Sequence, residues 1–252
     1  MITNQNNGDA LLVLQNVSKR FGGLMALSNL NCDIPRKKIV ALIGPNGAGK
    51  TTLFNTISGV YRPTTGSVVF DSVDISGMRP HAICKMGIAR TFQIVRPFLK
   101  MTSLENVMVG SMFGTERGTG FKEAAEKGKE LLEFVGLADR MNTPTANLTL
   151  VNRKKVELAK ALASNPKLVL LDEILAGLNP TEVEAAMDLI KKIRDSLGVT
   201  VFWVEHVMDA VINLAEHIVV LNYGEKIAEE TPKGLLSNQT VIDAYLGEDY
   251  IF

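Results

Sequence analysis

The chain has 252 residues, with 27 Lys plus Arg against 27 Asp plus Glu, so its formal net charge is zero. That balance argues against a general nucleic-acid binder, which carries a basic domain or patch. Hydrophobic residues at 46% and charged residues at 21% describe a globular chain and exclude intrinsic disorder, and the length suggests about one or two domains.

Two cysteines, Cys32 and Cys84, cannot build a disulfide framework and suit a reducing compartment. No apolar run approaches the roughly 18 residues of a membrane span. Met1 to Ala10 is polar and lacks the apolar stretch of a signal peptide. The expectation is a soluble cytoplasmic protein whose contact with a membrane would need a partner.

In chain order, Leu11 to Val17 reads as a strand, and Leu27 to Ile34 as a half-buried strand with apolar positions at Leu30, Cys32 and Ile34. Ile39 to Ile43 is a continuous apolar run, as in a strand buried on both faces. A turn-rich loop, Gly44 to Gly49, leads into a helix from Lys50 to Ser58 that stops at Gly59. Ser67 to Phe70 is a short strand. Residues 93–163 read as mainly helical, with helices at Lys122 to Phe134 and Arg153 to Ala163. Leu168 to Leu171 and Val199 to Val204 are further buried strands. Between them Thr181 to Leu197 is an amphipathic helix, with Thr181 as its expected N-cap. Ile218 to Asn222 and Glu225 to Glu229 flank Tyr223-Gly224 as a hairpin, and a short helix follows near Thr240 to Leu246. Strands alternating with helices indicate an α/β fold with a mostly parallel core.

The strongest motif is Gly44-Pro45-Asn46-Gly47-Ala48-Gly49-Lys50-Thr51, a match to G-x-x-x-x-G-K-[ST] between a buried strand and a helix. Glycines let the backbone wrap round phosphates with N–H groups pointing inward, and the helix N-terminus adds positive potential. Lys50 is expected to reach the β and γ phosphates and the Thr51 hydroxyl to hold Mg²⁺. Next, Leu168-Val169-Leu170-Leu171 ends in Asp172-Glu173. Asp172 suits a water-mediated Mg²⁺ contact, and Glu173 suits a general base that polarises the attacking water. His206, after an apolar strand, and Gln93, in Ala89-Arg90-Thr91-Phe92-Gln93, carry no functional reading on their own.

Together and in this order, from about Leu11 to Gly247, these pieces resemble the nucleotide-binding subunit of an ATP-binding cassette (ABC) transporter. The resemblance implies an ABC-type P-loop NTPase core at residues 11–92 and 164–252. That core would have a mostly parallel sheet and an N-terminal antiparallel β portion. A helical subdomain would occupy 93–163, and a tail 1–10. It implies that Gly44 to Thr52, including Thr52 itself, binds ATP and that Phe21 stacks on adenine. Gln93 would link Mg²⁺ to the membrane partner, Glu173 would be the catalytic carboxylate, and His206 would contact the γ-phosphate. Arg20-Phe21-Gly22-Gly23-Leu24, Leu104-Glu105-Asn106-Val107 and Ala244-Tyr245-Leu246-Gly247 look like the larger ATPase subunit of branched-chain amino acid uptake systems. Importers of urea or amides share these features. Implied partners are transmembrane permease subunits, a separate solute-binding protein and a second ATPase subunit. A heterodimer is favoured over a homodimer, and no nucleic acid is involved. The implied location is peripheral, at the cytoplasmic face of the inner membrane.

Two departures stand out. Where the family reads Leu-Ser-Gly-Gly-Gln, contacting ATP on the opposite subunit, this chain reads Leu148-Thr149-Leu150-Val151-Asn152. Leu150 and Val151 add side chains where backbone must approach closely, so the chain is expected to complete its partner's site poorly. A non-hydrolytic or regulatory subunit is the alternative this motivates. After Glu173, Ile174-Leu175-Ala176-Gly177-Leu178-Asn179-Pro180 replaces the family's Pro-Thr-Ser-Gly-Leu-Asp-Pro, so Asn179 stands for a coupling aspartate. Its amide oxygen still accepts a hydrogen bond but carries no charge.

Overall fold

The computed structural model describes residues 9–92, 95–115, 119–235 and 237–246. The chain begins with β1 (Ala10–Phe21), β2 (Leu24–Pro35), β3 (Ile39–Ile43), α1 (Lys50–Ile57), β4 (Thr65–Phe70) and β5 (Val73–Asp74). It continues through α2 (Pro80–Met86), β6 (Ile88–Arg90), α3 (Ser103–Met112), α4 (Phe121–Phe134), α5 (Leu150–Ala163) and β7 (Leu168–Asp172). It ends with α6 (Pro180–Leu197), β8 (Thr200–Val204), α7 (Met208–Leu214), β9 (His217–Asn222), β10 (Glu225–Glu230), α8 (Pro232–Leu235) and α9 (Gln239–Leu246). Two compact units form: the described residues of Met1–Pro80 with Ile190–Phe252, and His81–Leu189.

In the first unit, β1 pairs antiparallel with β2 and β4, giving the order β2-β1-β4-β5. Leu12, Leu14 and Val17 of β1 are buried. The strand runs four residues beyond Val17, through Ser18 to Phe21, a stretch too polar to read as strand from its pattern. Register shifts after Leu14, with Asn16 at φ 50, let it continue, because its ladder partners supply the bonds. The strand opens at Ala10, one residue ahead of the expected Leu11; Met1 to Gly8 of the expected tail lie outside the described residues.

The parallel portion follows from residue character. All five residues of β3 are buried, with β8 on one side (Ala41 opposite Trp203) and β9 on the other (Ala41 opposite Ile218). A strand flanked and covered on both faces has no polar positions to spare. β9 and β10 form the expected hairpin; Tyr223 at φ 45 and Gly224 at φ 81 are the two left-handed residues a tight turn of this kind requires. Helix α1 buries Leu53, Phe54 and Ile57, with Phe54 against Phe202 of β8 at 5.2 Å between ring centres.

In the second unit, β6 and β7 are parallel, with Ala89 opposite Val169. Three residues of β6 have no readable periodicity; pairing with the buried strand β7 makes them a strand. Helix α3 opens with a reciprocal cap between Thr102 and Glu105. Two helix starts differ from the sequence reading. Helix α5 begins at Leu150 rather than Arg153, because the Thr149 hydroxyl accepts from the Asn152 N–H at 3.3 Å and brings the altered signature into the first turn. Helix α6 begins at Pro180, and its cap is Asn179 rather than Thr181. Asn179 Oδ1 accepts from the Glu182 N–H at 3.0 Å, while Glu182 Oε2 accepts from the Asn179 N–H at 2.9 Å. Pro180 suits the first helical position, where no N–H is needed.

Candidate functional site

The glycine-rich loop Gly44 to Gly49 lies in the first unit, between β3 and α1. Two of its glycines, Gly44 and Gly49, are sterically required. A Cβ at Gly44 (φ 150) would sit 2.1 Å from the Leu221 carbonyl oxygen, and one at Gly49 (φ 101) 2.6 Å from that of Ala26. The loop is backed by the β9–β10 turn, where the Gly224 N–H donates to the Ala48 carbonyl at 3.0 Å. Ala48 is buried, whereas Asn46 and Gly47 are exposed at the rim. Gly49 caps α1 without any side-chain bond, so the first-turn amides of Lys50, Thr51 and Thr52 have no capping side chain. Lys50 is buried, and its ammonium donates to the carbonyls of Gly44 at 2.6 Å and Pro45 at 2.8 Å. A buried cation spanning its own loop is the arrangement from which a phosphate anion can take it over. The Thr51 hydroxyl belongs to an exposed residue of the same turn.

Phe21, at the end of β1, is 40% exposed, and its ring meets that of Tyr61 edge-on at 5.1 Å between centres. The Lys19 ammonium lies 4.9 Å from the Phe21 ring centre. A flat, partly exposed ring is what stacking on a base needs. His206 is exposed immediately after β8, and its backbone N–H, not its ring, donates to the buried Glu205 carboxylate at 3.1 Å.

The second unit holds Asp172 and Glu173. Asp172 ends β7 and pairs with Arg90 of β6 at 2.9 Å, both side chains 6% exposed. The Asp172 N–H also donates to the Thr91 hydroxyl at 3.4 Å. Glu173 has left-handed backbone, φ 48, which is unusual for a residue with a side chain. A cavity beside it is lined by Val151, Lys154 and Leu158 of α5 and by Ile174 and Leu178.

Glu157 of α5 is 2% exposed and accepts from the amides of Phe92 at 3.1 Å and Arg96 at 3.2 Å. Burial raises its pKa; Lys160 and these two amides pull it back. Gln93, between those anchors in sequence, lies outside the described residues. In the signature segment Thr149 caps α5, and Leu150 is 52% exposed.

Sequence reasoning assigned no role to Arg90, Lys154 or Glu157. Arg90 stood in a quoted motif, but its partner is 82 residues away, and only the β6–β7 pairing joins them. No helix among the described residues is long and apolar enough to cross a membrane.

The sequence profile described as ABC transporter matches residues 27–176. The chain is 38% identical over 250 residues to the high-affinity branched-chain amino acid transport ATP-binding protein BraF of Pseudomonas aeruginosa, a match covering 94% of this chain and 98% of that one. Among solved structures it is similar to the ADP conformation of an ATP-binding cassette of an ABC transporter, at TM-score 0.86 and 32% identity, covering 95% of this chain and 99% of that one. A dimeric post-hydrolysis state of a cassette bound to ADP and Pi matches at TM-score 0.79 and 30% identity, covering 88% and 98%.

Proposed function

We propose, from the premise that this chain belongs to the ABC transporter family, that it is the ATP-hydrolysing subunit of an importer for branched-chain amino acids. The observation that carries the substrate class is the end-to-end likeness to a branched-chain amino acid transport protein. The nucleotide chemistry rests on the uncapped N-terminus of α1 and the Lys50 ammonium beside it.

In this reading residues 11–92 and 164–252 are the nucleotide-binding core and 93–163 the helical subdomain. ATP phosphates lie against the amides of Gly44 to Thr52. Lys50 leaves the carbonyls of Gly44 and Pro45 for the β and γ phosphates, where it offsets developing charge. Phe21 stacks on adenine. Thr51, Asp172 and Gln93 supply the oxygen donors that suit Mg²⁺, which when bound neutralises phosphate charge. Glu173 orients and deprotonates the attacking water, and His206 contacts the γ-phosphate. ATP binding closes a pair of cassettes, and hydrolysis reopens it. The partners are permease subunits, a second ATPase subunit and a separate solute-binding protein, and the chain works peripherally at the cytoplasmic face of the inner membrane.

A regulatory, non-hydrolytic role is the second reading, favoured by Leu150 and Val151 at the signature. ATP turnover by the purified chain, alone and with candidate second subunits, separates the two. Turnover abolished in Glu173→Gln with ATP binding retained supports the hydrolytic reading. ATP binding without turnover in every combination supports the regulatory one.

A further inference from the structure

The turn after β7 needs something to hold it. Glu173 occupies left-handed backbone, which costs an L-residue free energy and persists only where the surroundings enforce it. Some of that enforcement is local: the Ala176 N–H donates to the Glu173 carbonyl at 3.3 Å, the Leu178 N–H to the Leu175 carbonyl at 3.1 Å, and Leu175 is buried. More arrives from another element. Lys154, in the second turn of α5, donates to the Ile174 carbonyl at 3.0 Å and to the Ala176 carbonyl at 2.6 Å. One ammonium therefore gathers two alternate carbonyls of the turn, and does so with a charge, which strengthens each bond over a neutral one.

We propose that Lys154 is a positioning residue for hydrolysis: by pinning Ile174 and Ala176 it fixes the turn that presents the Glu173 carboxylate to water. This rests on the reading of Glu173 as general base. Lysine is suited to the task because its three donors rotate freely and can serve two carbonyls at once. The same helix starts at the Thr149 cap, so Lys154 also ties the signature segment to the catalytic turn through about one turn of rigid helix.

The test compares Lys154→Met, Lys154→Arg and Glu173→Gln in the full chain, in the assembly that turns ATP over. Methionine keeps the length and removes the donors; arginine keeps donors for two acceptors. Lys154→Met should lower kcat by about 10- to 100-fold, the scale on which misplaced catalytic groups act. Its KM for ATP should stay within about twofold, because no phosphate contact changes. Amide hydrogen exchange at Ala176 and Leu178 should quicken in Lys154→Met, and Lys154→Arg should recover most of both effects. An unchanged kcat, even with a lower Tm, would make Lys154 merely structural and overturn the proposal. A lower kcat with unchanged exchange would place its action elsewhere and overturn it equally. Turnover surviving in Glu173→Gln would instead remove the reading of Glu173 and this proposal with it, an outcome distinct from failure of the lysine variants alone.

Discussion

The two helix N-termini that the proposed function assigns to nucleotide, those of α1 and α5, are built differently. The amides of α1 follow Gly49, a left-handed glycine with no side chain to bond them, and its loop includes Gly47, around which a Cβ would meet nothing within 4 Å. Those of α5 follow Thr149, whose hydroxyl already takes the Asn152 N–H, and Leu150 projects half-exposed beside it. Both ends have the dipole that favours an anion. Only the first leaves its amides free of a capping side chain and its approach open. An anion site thus depends less on the helix than on what the residues around its cap allow to come near.

The largest effect expected from this contrast is at α1. Lys50→Ala removes the cation that would make charge-assisted contacts with phosphate, each worth about 1.5–3 kcal/mol, so ATP binding should weaken by about 100-fold in a fluorescent-nucleotide titration. Binding left intact would break the assignment of the phosphate loop.

At α5 the sign should reverse. Leu150→Gly with Val151→Gly opens the approach to the first-turn amides and should raise the ATPase rate of the assembled complex several-fold. The same change should lower stability, since each glycine in a helix costs about 1 kcal/mol. Unchanged turnover would mean that the side chains at 150 and 151 do not obstruct the partner's nucleotide.

The smallest effect tests the cap itself. Thr149→Ala removes one capping bond and should cost about 1 kcal/mol, or roughly 2–4 °C in Tm for a chain of this size. Trp203, the single tryptophan and fully buried in β8, gives the fluorescence signal to follow unfolding. A shift near zero would show that the Thr149 bond contributes nothing to holding α5, and the contrast with Gly49 would narrow.

Much of this protein is written in contiguous stretches of chain. The run Ile39 to Ile43, the glycine loop after it and the helix at Lys50 could be read together because strand, loop and helix are neighbours in sequence, and each has its own local pattern. The pair Asp172-Glu173 was legible for the same reason, as was the Tyr223-Gly224 hairpin, whose turn demands two left-handed residues. Local pattern was weaker at helix starts. Asn179 and Thr181 are both good caps by composition, and the reciprocal bonds with Glu182 decide for Asn179.

What tertiary structure alone decided is the set of groups around Glu173 and Asp172. Arg90 reaches Asp172 across 82 residues, Lys154 reaches Ile174 and Ala176 from another helix, and Glu157 gathers the amides of Phe92 and Arg96 from 65 and 61 residues away. A lysine or glutamate on a helix has the same local pattern whether it faces water or a loop. The sequence by itself put forward the residues proposed to bind phosphate and activate water, because those roles need particular side chains in a fixed local order. Which charges hold them in place was decided only when strand pairing and helix packing brought distant residues within about 3 Å, the range over which hydrogen bonds act.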